Sequence, residues 1–350
     1  MRALVIGAGA IGTLTAVRLA ASGEQVAIVL RGRSRSNATA SARDTNGNVI
    51  SVELPAYPSA GEAIEDFNPQ LSIVAVKGYD TKSVIWDALG AGKPGGRRFL
   101  TLQNGVGNEE TLAQAFGAEN VISGAITIPV EKLAPLSVAQ TRRGMIGMAP
   151  VRRGVDISDV LETFDRAGFE VRHFEDYRSM KWSKLIMNMV GNAIPAILDW
   201  PPEKVFGDKR LAELEIKALR EAAAVMDAQG IRPVRLGGYP MPLFFFAVKK
   251  LPPRLLAAIL KPMVAKGRGG KKPSLQLDLE GGKSRSEVGF LNGAVSRFGE
   301  EAGVPAPINR CISETLSSIF EGGVPWAEFK DDPEALSRRC AEYEQKEKTI

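Results

Sequence analysis

The chain begins Met1-Arg-Ala-Leu-Val-Ile-Gly7-Ala-Gly9-Ala-Ile-Gly12, and the interpretation of the fold starts from these residues. Ala3 to Ile6 form a short apolar run, which is typical of a strand buried on both faces of a parallel sheet. Three glycines follow in G-x-G-x-x-G spacing, and the residues from Thr13 to Ser22 carry apolar side chains at helical spacing. The predicted order is therefore strand, glycine turn, helix.

Each glycine has a separate role in a turn of this kind. Gly7 permits the tight turn, Gly9 lets a pyrophosphate approach the backbone, and Gly12 lets the helix pack closely on the strand. A purely structural turn is the alternative, but Glu24 to Leu30 reads as a second strand that closes a βαβ unit, as the fingerprint requires. We therefore predict a dinucleotide site formed by Gly7, Ala8, Gly9, Ala10, Ile11 and Gly12.

The end of the second strand distinguishes between the two nicotinamide dinucleotides. An NAD site usually has Asp or Glu there for the ribose 2′-hydroxyl, whereas a nearby Arg accommodates the 2′-phosphate of NADP. This chain reads Leu30-Arg31-Gly-Arg33-Ser-Arg35, without an acid. We predict NADPH/NADP⁺ as the cofactor and Arg31 as its 2′-phosphate ligand. The alternative, arginines on a solvated loop, suits Arg33 and Arg35 better than Arg31.

The composition is that of an ordinary globular protein. The 350 residues suffice for two domains, and 44% of them are hydrophobic and 24% charged. The two cysteines form no C-x-x-C motif and His173 is the one histidine, so neither a Cys/His zinc site nor a histidine-based triad is expected. The N-terminus lacks the long apolar region of a secretion signal. We expect a cytoplasmic protein that binds neither a metal nor nucleic acid.

Strand and helix signals alternate as far as residue 175. The run Leu71–Val76 ends in Lys77, and the run Arg98–Leu102 leads into Gln103-Asn104-Gly105. Ligands bind at the carboxyl edge of a parallel sheet, so Lys77 and Asn104 are candidate ligand contacts. The alternatives are a surface lysine and a simple Asn-Gly turn. The predicted fold class is an α/β N-terminal Rossmann domain, residues 1-175, with a mostly parallel doubly wound sheet.

From residue 176 the pattern is helical, which predicts an all-α C-terminal domain, residues 176-350. Arg178–Leu198 reads as one helix that presents Lys184, Asn188 and Asn192 on one face at i, i+4 and i+8. Burial of these groups without partners would cost on the order of 1–3 kcal/mol each, so either protein groups or a polar ligand must satisfy them. The charged tail from Asp331 is expected to be loosely held.

A basic segment lies within the helical half, at residues 232-272. Between Arg232 and Leu277 the chain has ten basic residues and no acid, although the net charge of the whole chain is +5. The favoured interpretation is a helical insertion whose lysines face water. The alternative is an interfacial element that lies on a membrane surface or a partner. The apolar runs of the segment are too short and too broken to span a bilayer.

These motifs, in this order, resemble the ketopantoate reductase (2-dehydropantoate 2-reductase) family. The resemblance runs from Met1 to about Phe320. It is carried by the glycine fingerprint with Arg31, by Gln103-Asn104-Gly105, by Lys184-Leu-x-x-Asn188-x-x-x-Asn192, and by Ser274 upstream of Glu287-Val-x-x-Leu-Asn292-Gly293. It implies a Rossmann domain followed by a helical domain, with a small 2-oxo acid substrate bound in the cleft between them. We also expect a homodimer.

The resemblance assigns roles to individual residues. It implies that Lys184 is the general acid, that Asn104 contacts both nicotinamide and substrate, and that Glu287 lies beside the nicotinamide ribose. It further implies that Arg31 and Lys77 bind NADPH and that Asn188, Asn192 and Ser274 hold the substrate. Glu287, which reads as lying in or just before a helix, is also a candidate to position the Lys184 ammonium.

Three functional hypotheses follow. The first is NADPH-dependent reduction of 2-dehydropantoate (ketopantoate) to pantoate. The family's polar run is reduced here to Gly124-Ala-Ile-Thr127-Ile-Pro129, and the expected asparagine near Pro202 is missing. These departures favour the second hypothesis, an NADP-dependent oxidoreductase acting on a more apolar carbonyl or hydroxy substrate. The third is a protein that binds NADP(H) without turnover.

Overall fold

The computed structural model describes residues 1–92, 96–268 and 272–349. The chain folds into two compact units. The first unit comprises Met1–Lys181 together with Leu236–Gly238, and the second comprises Trp182–Arg235 and the chain from Tyr239 onward.

A single mixed sheet forms the centre of the first unit. Its strands, in chain order, are β1 Arg2–Ile6, β2 Gln25–Val29, β3 Ser36–Arg43, β4 Val49–Tyr57, β5 Leu71–Val74, β6 Arg98–Thr101, β7 Val121–Ile126, β8 Val130–Ala134, β9 Ser137–Gln140, β10 Met145–Pro150 and β11 Glu170–His173. Their spatial order is β11-β10-β7-β6-β5-β1-β2-β4-β3-β9-β8. The six strands from β7 to β4 in this order are all parallel, and antiparallel pairs occur only further out in the described sheet. The predicted mostly parallel sheet is confirmed.

Both faces of the sheet are covered by helices, as the apolar run in β1 predicts. Side chains alternate between the two faces of a strand. Ala3 and Val5 accordingly join one core with residues of α1 (Ala10–Ala21) and α5 (Ser158–Arg166). Leu4 and Ile6 join a second core on the opposite face. The helices of that face are α2 Ala60–Phe67, α3 Thr81–Gly90 and α4 Asn108–Phe116.

The connections of β1 determine where a ligand can bind. The chain leaves β1 for β2 on one side, whereas β5 pairs with β1 on the other side. Such a reversal is the topological switch point of a doubly wound sheet, and ligands bind outside the carboxyl ends of the strands there. In this chain those ends lead into the glycine turn after β1 and the Lys77 loop after β5.

The described part of the second unit consists of helices joined by turns. They are α6 Tyr177–Met189, which begins in the first unit, α7 Ala193–Leu198, α8 Pro202–Val205, α9 Lys209–Ala228, α10 Met241–Lys250, α11 Pro253–Arg268, α12 Ser274–Glu280, α13 Asn292–Glu301, α14 Pro307–Glu321 and α15 Pro333–Thr349. The basic segment therefore includes α10 and α11. The predicted helical C-terminal half is confirmed.

The prediction of one continuous helix over Arg178–Leu198 is wrong. Helix α6 ends at Met189 and α7 begins at Ala193, with Gly191 at φ +58° between them. Pro195 explains the break, because it has no N–H to donate to the carbonyl of Gly191 and its ring would clash with that carbonyl in a continuous helix. Asn192 consequently does not share a helix face with Lys184 and Asn188.

The charged tail is also more ordered than its sequence suggests, so the expectation of a loosely held tail is wrong. Helix α15 buries Leu336 and Cys340 completely, and the Sγ atom of Cys340 lies 3.0 Å from that of Cys311 on α14. These two buried positions lie one helical turn apart on α15, which packs against α14.

The start of α14 is bound by a carboxylate from α9. Glu221 accepts hydrogen bonds from the backbone N–H groups of Ile308 and Asn309, each at 2.9 Å, and from the Asn309 side chain at 2.7 Å. A carboxylate at this position satisfies amides that the first helical turn leaves unpaired. Burial is the largest influence on the carboxyl and raises the pKa of Glu221 to about 7.

Candidate active site

The glycine turn after β1 has the close backbone approaches that its spacing predicts. Gly7 has φ +118°, and a β-carbon built on it would lie 2.6 Å from the backbone nitrogen of Val76. A β-carbon on Gly12 would lie 1.9 Å from the carbonyl oxygen of Gly7. Any larger residue at either position would therefore push the start of α1 away from the ends of β1 and β5.

Gly9 has a different environment, which suits a phosphate. It is exposed, and a β-carbon built on it would meet no atom within 4 Å, so the space in front of the turn is open. Helix α1 begins at the next residue, Ala10. Among the described contacts no side chain caps this end of α1, and its first turn carries no acid. The unpaired amides and the positive end of the helix dipole are the groups that bind a pyrophosphate, so this turn fits the predicted dinucleotide.

Arg31 lies just beyond β2, as the sequence places it. Its guanidinium Nη1 is 3.7 Å from Oδ2 of Asp80, in the short 3-10 helix that follows Lys77 after β5. The Arg31 side chain is 51% exposed, and an ion pair at this distance and exposure is worth little. A phosphate could therefore compete with Asp80 for the guanidinium.

A network of buried polar side chains supports the loop that carries Asn104. Asn104 itself is exposed, whereas the preceding Gln103 is buried. The Gln103 amide donates to the carbonyl of Val76 at 3.1 Å and to the Thr81 hydroxyl at 2.8 Å. The Thr81 hydroxyl also bonds to Asn108, whose amide donates to the carbonyl of Asn104 at 3.2 Å. These bonds fix the Asn104 loop to the loop that contains Lys77.

The sequence interpretation missed a buried lysine on the same network. Lys181 is 3% exposed, and its ammonium donates to the carbonyl of Gln103 at 2.6 Å and lies 3.0 Å from Oε1 of Glu109, which is 1% exposed. Glu109 also accepts from the Ser123 hydroxyl at 2.9 Å. One signal was available, because Lys181 lies a single helical turn before Lys184 in a mostly apolar helix.

A second carboxyl of α4 lies beside this ion pair. Tyr177, the first residue of α6, donates its hydroxyl to Oε1 of Glu110 at 3.1 Å. Burial, reinforced by the charge of the neighbouring Glu109, raises the pKa of Glu110 above its ordinary value. Burial, followed by the charge of Glu110, also raises the pKa of Tyr177, so this tyrosine is a hydrogen-bond donor at neutral pH.

The predicted residues of the second unit occupy three different elements. Lys184 and Asn188 are half-buried on α6, Ser274 is exposed at the first position of α12, and Glu287 is 7% exposed at the start of a short 3-10 helix. Asn192 lies between α6 and α7. Its carboxamide donates to the carbonyl of Asn188 at 3.0 Å and accepts from the amide of Leu275 at 3.4 Å. The sequence left open whether protein groups or a polar ligand would pair with Asn192. The structure shows protein groups as hydrogen-bond partners of its carboxamide.

Two family models match consecutive parts of the chain. Ketopantoate reductase PanE/ApbA matches residues 3–153, and ketopantoate reductase PanE/ApbA C terminal matches residues 176–319. The 2-dehydropantoate 2-reductase of Pyrococcus horikoshii is 30% identical over 315 residues, which are 88% of this chain and 94% of that protein. The chain belongs to the ketopantoate reductase family.

The fold of this ketopantoate reductase family member also occurs in solved structures. The 2-dehydropantoate 2-reductase from Geobacter metallireducens superposes with a TM-score of 0.73 at 25% identity, covering 91% of this chain and 99% of that one. D-mandelate dehydrogenase, solved with NADH and anilino(oxo)acetate, superposes with a TM-score of 0.75 at 18% identity, covering 92% and 99% of the two chains. At 18% identity the second likeness shows the fold alone.

Proposed function

We propose that this protein reduces 2-dehydropantoate to pantoate with NADPH. The observation that carries the proposal is the 30% identity, over 88% of the chain, to a relative named 2-dehydropantoate 2-reductase. The open, uncapped glycine turn of the first unit supports a dinucleotide-dependent reaction, because its amides suit a pyrophosphate. In this proposal residues 1-175 bind the dinucleotide and residues 176-350 hold the substrate. A homodimer and a cytoplasmic location remain predictions.

The proposed cofactor contacts follow the geometry of the first unit. Gly7, Ala8, Gly9, Ala10, Ile11 and Gly12 form the turn that would hold the pyrophosphate. Arg31 would bind the 2′-phosphate in place of its weak pair with Asp80, and Lys77 would add a second positive charge. The bound dinucleotide would supply a hydride to the carbonyl carbon of the substrate. Asn104 lies on the loop that the Gln103 network holds in place, and we propose that its side chain hydrogen-bonds nicotinamide and substrate. Glu287 is proposed to lie beside the nicotinamide ribose.

Lys184 is the proposed proton donor. Addition of a hydride to a ketone builds negative charge on the oxygen, which requires a nearby acid. A lysine of ordinary pKa, about 10.4, carries its proton at neutral pH. Asn188, Asn192 and Ser274 are proposed to hold the substrate, and Glu287 to position the ammonium of Lys184.

Substitution of Lys184 tests this assignment. Lys184→Ala should lower kcat by about 10²-fold or more, the usual scale for loss of a general acid, while the Kd for NADPH changes little. The kcat is measured from the loss of NADPH absorbance during turnover, and the Kd is measured by fluorescence titration. Lys209→Ala, which removes an exposed lysine from the start of α9, is the control and should leave kcat unchanged. A Lys184→Ala enzyme with wild-type kcat would show that another group donates the proton.

One structural observation favours a more apolar substrate as the second candidate. Thr127 is the hydroxyl residue that remains in the Gly124–Pro129 run, and its Oγ1 accepts from the amide of Met145 at 2.9 Å and donates to the carbonyl of the same residue at 3.2 Å. Both hydrogen-bonding functions of this hydroxyl are therefore used within the sheet. A substrate contacting this run would meet mainly apolar groups.

A substrate panel distinguishes the three hypotheses. NADPH oxidation is followed with ketopantoate and with 2-oxo acids that carry branched alkyl or aromatic groups. The highest kcat/KM for ketopantoate supports the proposal. A kcat/KM at least tenfold higher for an apolar 2-oxo acid supports the second candidate. Tight NADPH binding without turnover of any member would identify a binding protein.

A further inference from the structure

The basic segment forms two helices that are firmly packed on α9. Helix α10 buries Met241, Phe245 and Val248, and α11 buries Leu256 and Leu260. Both helices contact α9. Arg220 of α9 donates to the carbonyls of Val248 and Leu251 at 3.0 and 2.6 Å, which satisfies carbonyls at the C-terminal end of α10. The segment is therefore a folded surface element of the second unit.

The outer sides of these two helices expose large apolar side chains. Leu255, Ile259 and Met263 follow one another at i, i+4 and i+8 on α11 and are 49%, 42% and 55% exposed. On α10, Leu243 and Phe246 lie one turn apart and are 66% and 59% exposed. We call these five side chains the apolar face. Single exposed apolar residues need no explanation, but aligned series on two consecutive helices indicate a contact surface.

Cations accompany the apolar face. Lys249, Lys250, Arg254 and Lys261 are exposed on the same two helices, and the sequence from Arg232 to Leu277 contains no acid. Among the described contacts, Lys249 pairs with Asp227 of α9 and Lys272 pairs with Glu280 of α12. These exposed pairs reduce the local positive charge but do not reverse it, since ten basic residues lie in the segment.

We propose that the apolar face binds the surface of an anionic phospholipid bilayer. Helices that carry apolar side chains on one face and Lys or Arg around them lie in the interfacial plane, with the apolar groups between the headgroups and the cations on anionic lipids. Within the part of the chain that the structure describes, no helix has the length and apolarity needed to span a bilayer. The contact is therefore peripheral.

Charge argues against a second copy of the chain as the occupant of the face. A two-fold interface places the same surface on both subunits. Here it would oppose one predominantly basic surface with an identical one, and the repulsion would act against association. An anionic lipid surface supplies the opposite charge and an apolar layer together, which matches both properties of the segment.

Sedimentation with vesicles tests the proposal on the full-length protein. Phosphatidylglycerol mixed with phosphatidylcholine is compared with phosphatidylcholine alone, at low and at high salt. The wild-type chain should sediment with the anionic vesicles at low salt. Salt should weaken this binding, because screening shortens the range of the attraction.

Two double variants test the contact surface, each against a control in the first unit. Leu243→Glu combined with Met263→Glu should lower lipid partitioning roughly tenfold or more, whereas Trp86→Glu, at a 76% exposed tryptophan of the first unit, should leave it unchanged. Lys250→Glu combined with Arg254→Glu should also lower it roughly tenfold. Arg43→Glu with Arg143→Glu makes the same change in net charge at exposed sites of the first unit and should have less than about a twofold effect.

Several results would overturn the proposal. One is a wild-type chain that stays in the supernatant with anionic vesicles at low salt. Another is partitioning that responds equally to the variants and to their controls. A third is gel filtration in which the wild type is a dimer and the Leu243→Glu, Met263→Glu variant a monomer, because the face would then be covered by a second copy. Unchanged melting temperatures and NADPH turnover in the variants show that loss of binding is not loss of folding.

Discussion

Removal of the Lys181 ammonium should destabilise the first unit strongly. Lys181→Met keeps most of the side-chain volume but removes the charge that lies 3.0 Å from Glu109 and the donor that lies 2.6 Å from the Gln103 carbonyl. Glu109 would stay buried, at 1% exposure, with the Ser123 hydroxyl as its remaining described donor. Loss of one partner from a buried ion pair costs about 3–5 kcal/mol, because the other charge is left uncompensated.

A double-mutant cycle measures the part of this cost that belongs to the pair. The free energy of unfolding is obtained from urea titrations followed by far-UV circular dichroism for the wild type, Lys181→Met, Glu109→Gln and the double variant. The neutral carboxamide that Glu109→Gln introduces can still accept from the Ser123 hydroxyl, so the double variant should be more stable than the sum of the single losses by about 2 kcal/mol. Lys82→Met, at an exposed lysine of α3, should cost less than about 0.5 kcal/mol.

Two outcomes would refute this reasoning. A cost below about 1 kcal/mol for Lys181→Met would mean that the ammonium is hydrated and does not form the buried pair. Strict additivity of the two single losses would mean that Lys181 and Glu109 do not interact. The first result would also remove the support that the hydrogen bond from Lys181 to the Gln103 carbonyl gives to the Asn104 loop.

Three further predictions concern the cofactor site and α14. Gly12→Ala should abolish NADPH binding in a fluorescence titration, because the new methyl group would lie 1.9 Å from the Gly7 carbonyl; wild-type affinity would contradict the described turn. Arg31→Ala should raise the Kd for NADPH roughly tenfold or more and leave that for NADH within about twofold, while equal losses would exclude the 2′-phosphate contact. The pKa of Glu221, raised to about 7, means that the native state keeps a proton that the unfolded state loses near pH 4.5. Relative to Glu221→Gln, the wild type should therefore lose roughly 2–3 kcal/mol of unfolding free energy between pH 5 and pH 8; an unchanged difference over this range would show that the three donated hydrogen bonds keep the pKa at or below its ordinary value.

Local patterns in the sequence determined the fold class and the position of the cofactor turn. The apolar run of β1, the three glycines and the periodic start of α1 are contiguous, and each acts through backbone conformation or burial that neighbouring residues specify. Two other signals are equally local. They are Arg31, just after β2, and the change to helical periodicity after Asp176. The family resemblance then rested on four such segments in a fixed order.

Tertiary structure decided the features that depend on residues distant in sequence. Lys181 donates to the carbonyl of Gln103, which lies 78 positions away in the sequence. This carbonyl becomes available only when the sheet brings the end of β6 to the start of α6. The hydroxyl of Thr127 is hydrogen-bonded to the backbone of Met145 only because β7 and β10 pair. The break before Ala193 was visible in Pro195, but the contact of Asn192 with Leu275 was not. Sequence periodicity specifies which face of an element is buried, whereas the polar partner that meets a buried group is specified by the packing of elements far apart in the chain.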